Sequence, residues 1–272
     1  MSDFDLSKRC FHYPHRLVAH RGGGFHAPEN TLVAVQTGFE LGFHAVEFDV
    51  MLTRDEQLIL MHDIFPGRTI AAKGEHRLIS EAFDFEEITS MDAGSWFLNN
   101  PYARSSRDFT GINVSSFRDV TEYCNQHDIW MNVEIKPCPG YEHRTGELTA
   151  LFVRDCLERG MISSARTPLL SSFALEALQA AKAIAPSIPR ALLVEGDIPS
   201  DILDSLVALE TSALHVNHRF ITKRFVSEFK ANTKLGLLCY TVNDVSAAQR
   251  LFEWGVDAVC TDTLGDFQSL LG

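Results

Sequence analysis

At 272 residues, 45% of them hydrophobic and 22% charged, the chain has the make-up of a globular protein and the length of a single α/β barrel. Its net charge is −12 and it holds no lysine–arginine run, which excludes the basic surface that sequence-independent nucleic-acid binding requires. No stretch reaches the length of a membrane span, and the N-terminus has no apolar secretory core. The six cysteines (Cys10, Cys124, Cys138, Cys156, Cys239, Cys260) are scattered without a CxxC pair. A reduced, cytoplasmic protein without stable membrane insertion is expected.

In chain order, residues 1–16 read as a poorly patterned leader. Leu17-Val18-Ala19 reads as a short strand ending at His20-Arg21. Gly22 to Gly24 then allow a tight turn and close approach to a ligand. Pro28 and Asn30, as N1-type and cap-type residues, mark the next helix. Leu32, Val35 and Phe39 form its apolar face, and Gly42 ends it. Val46 to Thr53 and Leu58 to Asp63 read as strands. Their link, Arg54 to Gln57, is too short for a parallel crossover, so they form an antiparallel hairpin. A turn centred on Asp55-Glu56 sets His62 opposite Asp49.

Glu47 and Asp49 stand two apart and therefore share a face of a strand whose other residues are apolar. Two carboxylates on a buried face repel each other and lose hydration. A hard cation, Mg²⁺ or Ca²⁺, relieves both penalties. A half-exposed strand with a solvated pair is the alternative.

Residues 64–115 break the alternation and read as an irregular insertion or cap, with a short helix around Phe85 to Met91. Within it, Trp96 and Phe97 stand beside a turn, as pocket lining or as a small satellite core. Alternation resumes at Ser116. Helices are expected over Phe117–Gln126, Thr145–Arg159, Ala174–Ala185, Ser200–Leu209, Thr222–Ala231 and Val245–Trp254. Strands are expected over Ile129–Lys136, Pro168–Phe173, Arg190–Val194, Ala213–Asn217, Leu235–Val242 and Val256–Thr261. With the strands near residues 18 and 47 this makes eight parallel candidates. They point to a TIM (β/α)₈ barrel over residues 17–272, with a β-hairpin after strand 2 and the insertion inside it. A doubly wound sheet would not need so many units.

Barrel enzymes place reactive groups at the C-terminal ends of strands. His20 and Arg21 end the first strand, Glu47 and Asp49 lie on the second, and Glu134 and Lys136 share a face at the end of the third. Three carboxylates can cage a hard divalent cation. Arg21 and Lys136 can neutralise a phosphate. His20 and His62 can exchange protons near neutral pH.

HRGGGFHAPENT, EFDV, MHD, DAGSWF and NVEIKP follow in that order, then SSF at Ser171–Phe173, YTVND at Tyr240–Asp244 and GVDAVCTD at Gly255–Asp262. Over residues 17–265 the chain resembles the glycerophosphodiester phosphodiesterase family, related to phosphoinositide phospholipase C-like barrels. The resemblance implies a TIM barrel that uses one divalent cation and hydrolyses a small-molecule glycerophosphodiester to sn-glycerol 3-phosphate and an alcohol. It maps the catalytic histidines to His20 and His62, the metal carboxylates to Glu47, Asp49 and Glu134, and the phosphate-binding groups to Arg21 and Lys136. Trp96, Phe97, Phe173 and Tyr240 are candidate pocket-lining aromatics. By similarity to related phosphodiesterases, the substrate's neighbouring hydroxyl attacks and water opens the cyclic phosphate; direct attack by water is the other route. Rival readings are a lyase that stops at the cyclic phosphate, a lysophospholipase D, and a non-catalytic phosphodiester-binding barrel. The sequence is compatible with a homodimer. The chain has Tyr240 where the family often has tryptophan, Arg68 to Gly74 where a Thr-Thr-Asn-Gly-like stretch is usual, and Ile112 to Ser116 where a proline-threonine-leucine turn is usual. These departures bear on the choice of headgroup.

Overall fold

Among the described residues, eight of the nine strands are parallel and close on themselves. The computed structural model describes Leu6, residues 10–72 and residues 74–271; residues 1–5 and 7–9 of the leader lie outside the described residues. The strands are β1 (Leu17–Ala19), β2 (Ala45–Leu52), β3 (Leu58–Leu60), β4 (Trp130–Ile135), β5 (Leu169–Ser172), β6 (Arg190–Val194), β7 (Ala213–Asn217), β8 (Gly236–Tyr240) and β9 (Ala258–Thr261). Around the barrel they run β1-β9-β8-β7-β6-β5-β4-β2, and Ala19 pairs with Val46 to shut the ring. β3 stands outside, antiparallel to β2. Between the strands lie α1 (Leu32–Glu40), α4 (Phe117–Gln126), α5 (Glu142–Glu158), α6 (Leu175–Ile184), α7 (Ile202–Leu209), α8 (Lys223–Asn232) and α9 (Val245–Trp254); the insertion holds α2 (Ile79–Ala82) and α3 (Phe85–Thr89). The barrel is therefore the (β/α)₈ architecture expected, with the extra hairpin strand.

Two local expectations are corrected. Thr31, not Asn30, caps α1, accepting from Ala34 N through its side chain. Asn30 instead has φ 57°, the left-handed region that asparagine tolerates better than most residues. The hairpin register is one residue shorter than expected. Leu52 pairs with Leu58 and Val50 with Leu60, so Asp49 faces Met61, whose N–H donates to its carbonyl (3.1 Å). The loop is Arg54-Asp55-Glu56, with Glu56 at φ 61°, the three-residue geometry that ends in a left-handed residue. Thr53 fixes it by accepting Gln57 N–H at Oγ1 (2.9 Å) and donating to Asp55 (2.6 Å).

β2 is buried along its whole length. One face meets the barrel interior. The other meets the helices, where Val46, Phe48 and Val50 join Phe117, Val120 and Val153 in the main core. A side chain of this size contributes about 1.5–3 kcal/mol when fully buried. Phe11 and Tyr13 of the leader pack beside Trp130, Ala213 and Ala258 across the N-terminal mouth of the barrel. The Tyr13 hydroxyl bonds His215 Nε2 (2.8 Å) inside it. The insertion has its own core of Met51, Ile59, Ile70, Ile79 and Ile88. Asp92 closes it, accepting from Gly94 N, Ser95 N and Gly111 N at 2.7–2.8 Å. Among the described residues no helix is long and apolar enough to cross a membrane.

Candidate active site

The parallel ladder builds the acidic centre. Asp49 on β2 is in register with Glu134 on β4, and Glu47 with Asn132, so Glu47, Asp49 and Glu134 all point into the barrel. They are 5%, 1% and 9% exposed. Each offers a carboxylate oxygen, and these oxygens lie within 4.8 Å of one another. Burial and the neighbouring Asp49 push the Glu47 carboxyl up to about 8 and that of Glu134 to about 6. Burial also opposes ionisation of Asp49, but Arg21, His62, Lys136 and the Asn30 amide outweigh it and lower its pKa. Asn30 grips Asp49 twice: its Nδ2 donates to Oδ2 (2.8 Å) and its Oδ1 accepts the Asp49 N–H (3.0 Å).

His20 leaves β1 and donates through Nδ1 to Asp262 Oδ1 (2.5 Å), just beyond the neighbouring strand β9. Its Nε2 lies 3.9 Å from Glu47. Asp262 in turn accepts from Asn243 Nδ2 (2.9 Å) and donates its own N–H to Asn243 Oδ1 (2.8 Å). Burial disfavours the imidazolium, yet Asp262 and Glu47 reverse this and raise His20 to about 9. Arg21 sits at φ 49°, held there by its N–H to Glu47 Oε2 (2.9 Å); strained backbone of this kind persists only where its surroundings over-determine it. Its Nη1 donates to Glu29 (2.5 Å). Its Nε is buried without a hydrogen-bond partner among the described residues. Gly24 permits this crowding: a Cβ there would stand 2.2 Å from the Asp262 carbonyl.

Although the register differs from expectation, His62 still lines the site: β3 ends at Leu60, and the bond from Met61 N–H to Asp49 O (3.1 Å) brings the chain to the edge of the acidic centre just before His62. Its Nδ1 donates to Asp63 Oδ1 (2.8 Å). Lys136 bonds Glu134 (3.1 Å) and stands 5.2 Å from the Phe173 ring centre. Tyr240 meets Phe173 edge-on and donates its hydroxyl to Val194 O (2.7 Å).

One cavity of about 580 Å³ is lined by His20, Arg21, Glu47, Asp49, His62, Glu134, Lys136, Phe173 and Tyr240. Trp96 lies elsewhere, in an adjoining recess that shares His20 and Arg21 and also holds Arg68 and Tyr102. Phe97, a candidate for pocket lining or for a small satellite core, does not line the cavity: it is fully buried in a small separate core with Ala27, Ala34 and Phe109. Gly94 lets that turn pack so closely that a Cβ would fall 1.9 Å from the Phe109 carbonyl.

The profile of the Glycerophosphoryl diester phosphodiesterase family matches residues 20–266. The chain belongs to that family. Among curated relatives, the phosphodiesterase is 30% identical to a glycerophosphodiester phosphodiesterase of Caldanaerobacter subterraneus, over 90% of this chain and 93% of the relative. It is 28% identical to one of Bacillus subtilis, over 90% and 82%. Among solved structures it is similar to an Oleispira antarctica phosphodiesterase in complex with the product sn-glycerol-3-phosphate, with TM-score 0.82, 32% identity and 94% and 96% coverage. It is also similar to a glycerophosphodiester phosphodiesterase from Agrobacterium tumefaciens, with TM-score 0.72, 25% identity and 93% and 99% coverage.

Sequence reasoning missed the polar groups that hold this phosphodiesterase's site together: Asn30, Glu29, Asp63, Arg68, Asn243 and Asp262. The available signal was position. Asp262 follows a strand at its C-terminal end, as His20 does, and Asp63 is the residue after His62.

Proposed function

We propose that the chain hydrolyses glycerophosphodiesters to sn-glycerol 3-phosphate and an alcohol, with His20 and His62 moving the protons. The carrying observation is convergence in one cavity: a buried carboxylate triad, two imidazoles each tied at Nδ1 to a carboxylate, and the cations Arg21 and Lys136. The product held by the Oleispira relative supports the substrate class.

Glu47, Asp49 and Glu134 would hold one divalent cation. The donor set fits: it is all carboxylate oxygen and buried, and two of its members are pushed above the ordinary carboxylate range. Bound there, the ion supplies charge stabilisation at a phosphoryl oxygen. The buried Nε of Arg21 and the ammonium of Lys136 bind the remaining phosphate oxygens. Asp262 and Asp63 occupy Nδ1 of the two histidines, which leaves both Nε2 atoms for proton transfer. One histidine takes the proton of the attacking hydroxyl, from the substrate or from water. The other protonates the departing alcohol oxygen.

The test is glycerol 3-phosphate release from glycerophosphocholine and glycerophosphoethanolamine, each with Mg²⁺, Ca²⁺ or chelator. Release that needs the metal is expected. A folded protein that releases none with either metal overturns the reading.

A further inference from the structure

We infer that Arg68, in the insertion, is a positioning residue that holds both halves of the site at once: His62 through Asp63, and Arg21 through Glu29. The inference rests on the proposed function for the roles of His62 and Arg21, but its geometry stands alone. The Arg68 guanidinium faces two carboxylates. Nε and Nη2 donate to Asp63 Oδ2 and Oδ1 (2.6 and 2.9 Å), and Nη1 and Nη2 donate to Glu29 Oε2 and Oε1 (2.7 and 2.6 Å). Four of its five N–H groups are thereby spent, so it has little left to offer a substrate. Asp63 Oδ1 also accepts from His62 Nδ1, and Glu29 Oε1 from Arg21 Nη1. A continuous chain of hydrogen bonds runs His62–Asp63–Arg68–Glu29–Arg21.

The insertion supplies the rigidity. Thr69 and Ile70, next to Arg68, are buried, and Gly67 N–H closes the turn onto Ile70 O (2.9 Å). The Trp96 ring lies 5.6 Å from the guanidinium carbon. Arg68 itself is 44% exposed on its side chain, so its ion pairs add little to overall stability. What it fixes is direction. A planar fork can grip two carboxylates at once, whereas a lysine ammonium cannot hold both in the same orientation.

The experiment measures glycerol 3-phosphate release, thermal melting and the ring-nitrogen NMR signals of His62 in wild type, Arg68→Lys, Arg68→Ala, Asp63→Asn and the double variant Arg68→Ala/Asp63→Asn. Both Arg68 variants are expected to melt near wild type and to lose roughly 10- to 100-fold in kcat/KM. The double variant is expected to lose less than the product of the two single losses, because both act through His62. The clamp predicts that the His62 ring holds its proton at Nδ1 in wild type, facing Asp63, and that this preference weakens in Arg68→Ala. Wild-type activity in Arg68→Lys, losses that multiply in the double variant, or an unchanged tautomer in Arg68→Ala would each overturn the clamp. If wild type itself releases no product, the proposed function fails and the His62 signals alone decide the clamp.

Discussion

Asn30 has two roles that a helix cap would not have. Its amide satisfies both the carboxylate and the N–H of Asp49, and its left-handed backbone suits few other residues. Asn30→Ala leaves two buried groups unpaired, and destabilisation of about 2–4 kcal/mol is expected, readable as a lower urea midpoint. Asp262→Asn is the complementary case. An amide can present its N–H to His20 and favour the wrong tautomer, as carboxylate-to-amide changes beside a catalytic histidine do. We expect kcat to fall at least about 100-fold with an unchanged circular dichroism spectrum; near-wild-type kcat would remove Asp262 from the site's function. Glu47, Asp49 and Glu134 were legible as candidates because alternation on a strand is local. Asp262 was not, because it lies 242 residues from the histidine it orients.

At the scale of elements, the hairpin is instructive. Antiparallel pairing followed from the short link, but the register depended on Glu56 adopting the left-handed region. Loop conformation sets register, and loop length alone does not. The site tolerates the slip because the chain leaves β3 before His62. The turn at Gly94 is stricter, since a single methyl there would collide with the Phe109 carbonyl. Gly94→Ala is therefore expected to cost about 3 kcal/mol or more and to loosen the insertion first. Limited proteolysis should then cut within residues 90–112 while the barrel survives; an uncut insertion would show that the turn can yield.

For the whole molecule, two titratable features contribute to stability. His215 is fully buried within the barrel and pushed down to about 3 by burial. The unfolded chain takes up that proton near pH 6.5. Between those values the unfolded state binds more protons, so stability is present above about pH 6.5 and declines as pH falls toward 3, by about 1.4 kcal/mol per pH unit for one group. Acidification from pH 7.5 to 5 should lower the urea midpoint of wild type more than that of His215→Gln; equal losses would show that carboxylates alone govern the acid limb. The carboxylate triad has the opposite need, for positive charge. Mg²⁺ or Ca²⁺ at 100 times its Kd should stabilise the fold by about 2.7 kcal/mol, and chelation should remove this. Glu134→Gln should lose most of that shift in the melting temperature, and a full shift in the variant would place the ion elsewhere.

The sequence by itself determined the parallel barrel, the outlying hairpin strand and the acidic and basic groups at the strand ends. Each of these is written in short-range periodicity: alternation along strands, apolar spacing along helices, and links too short to cross over. Tertiary structure decided which polar groups meet. The pairing of β1 with β9 brings Asp262 to His20, the approach to α1 turns Asn30 onto Asp49, and the insertion folds Arg68 between Glu29 and Asp63. Those contacts join residues far apart in the chain. They arise only when the ring shuts and the cap packs on it, and no local pattern records a partner that closure alone supplies.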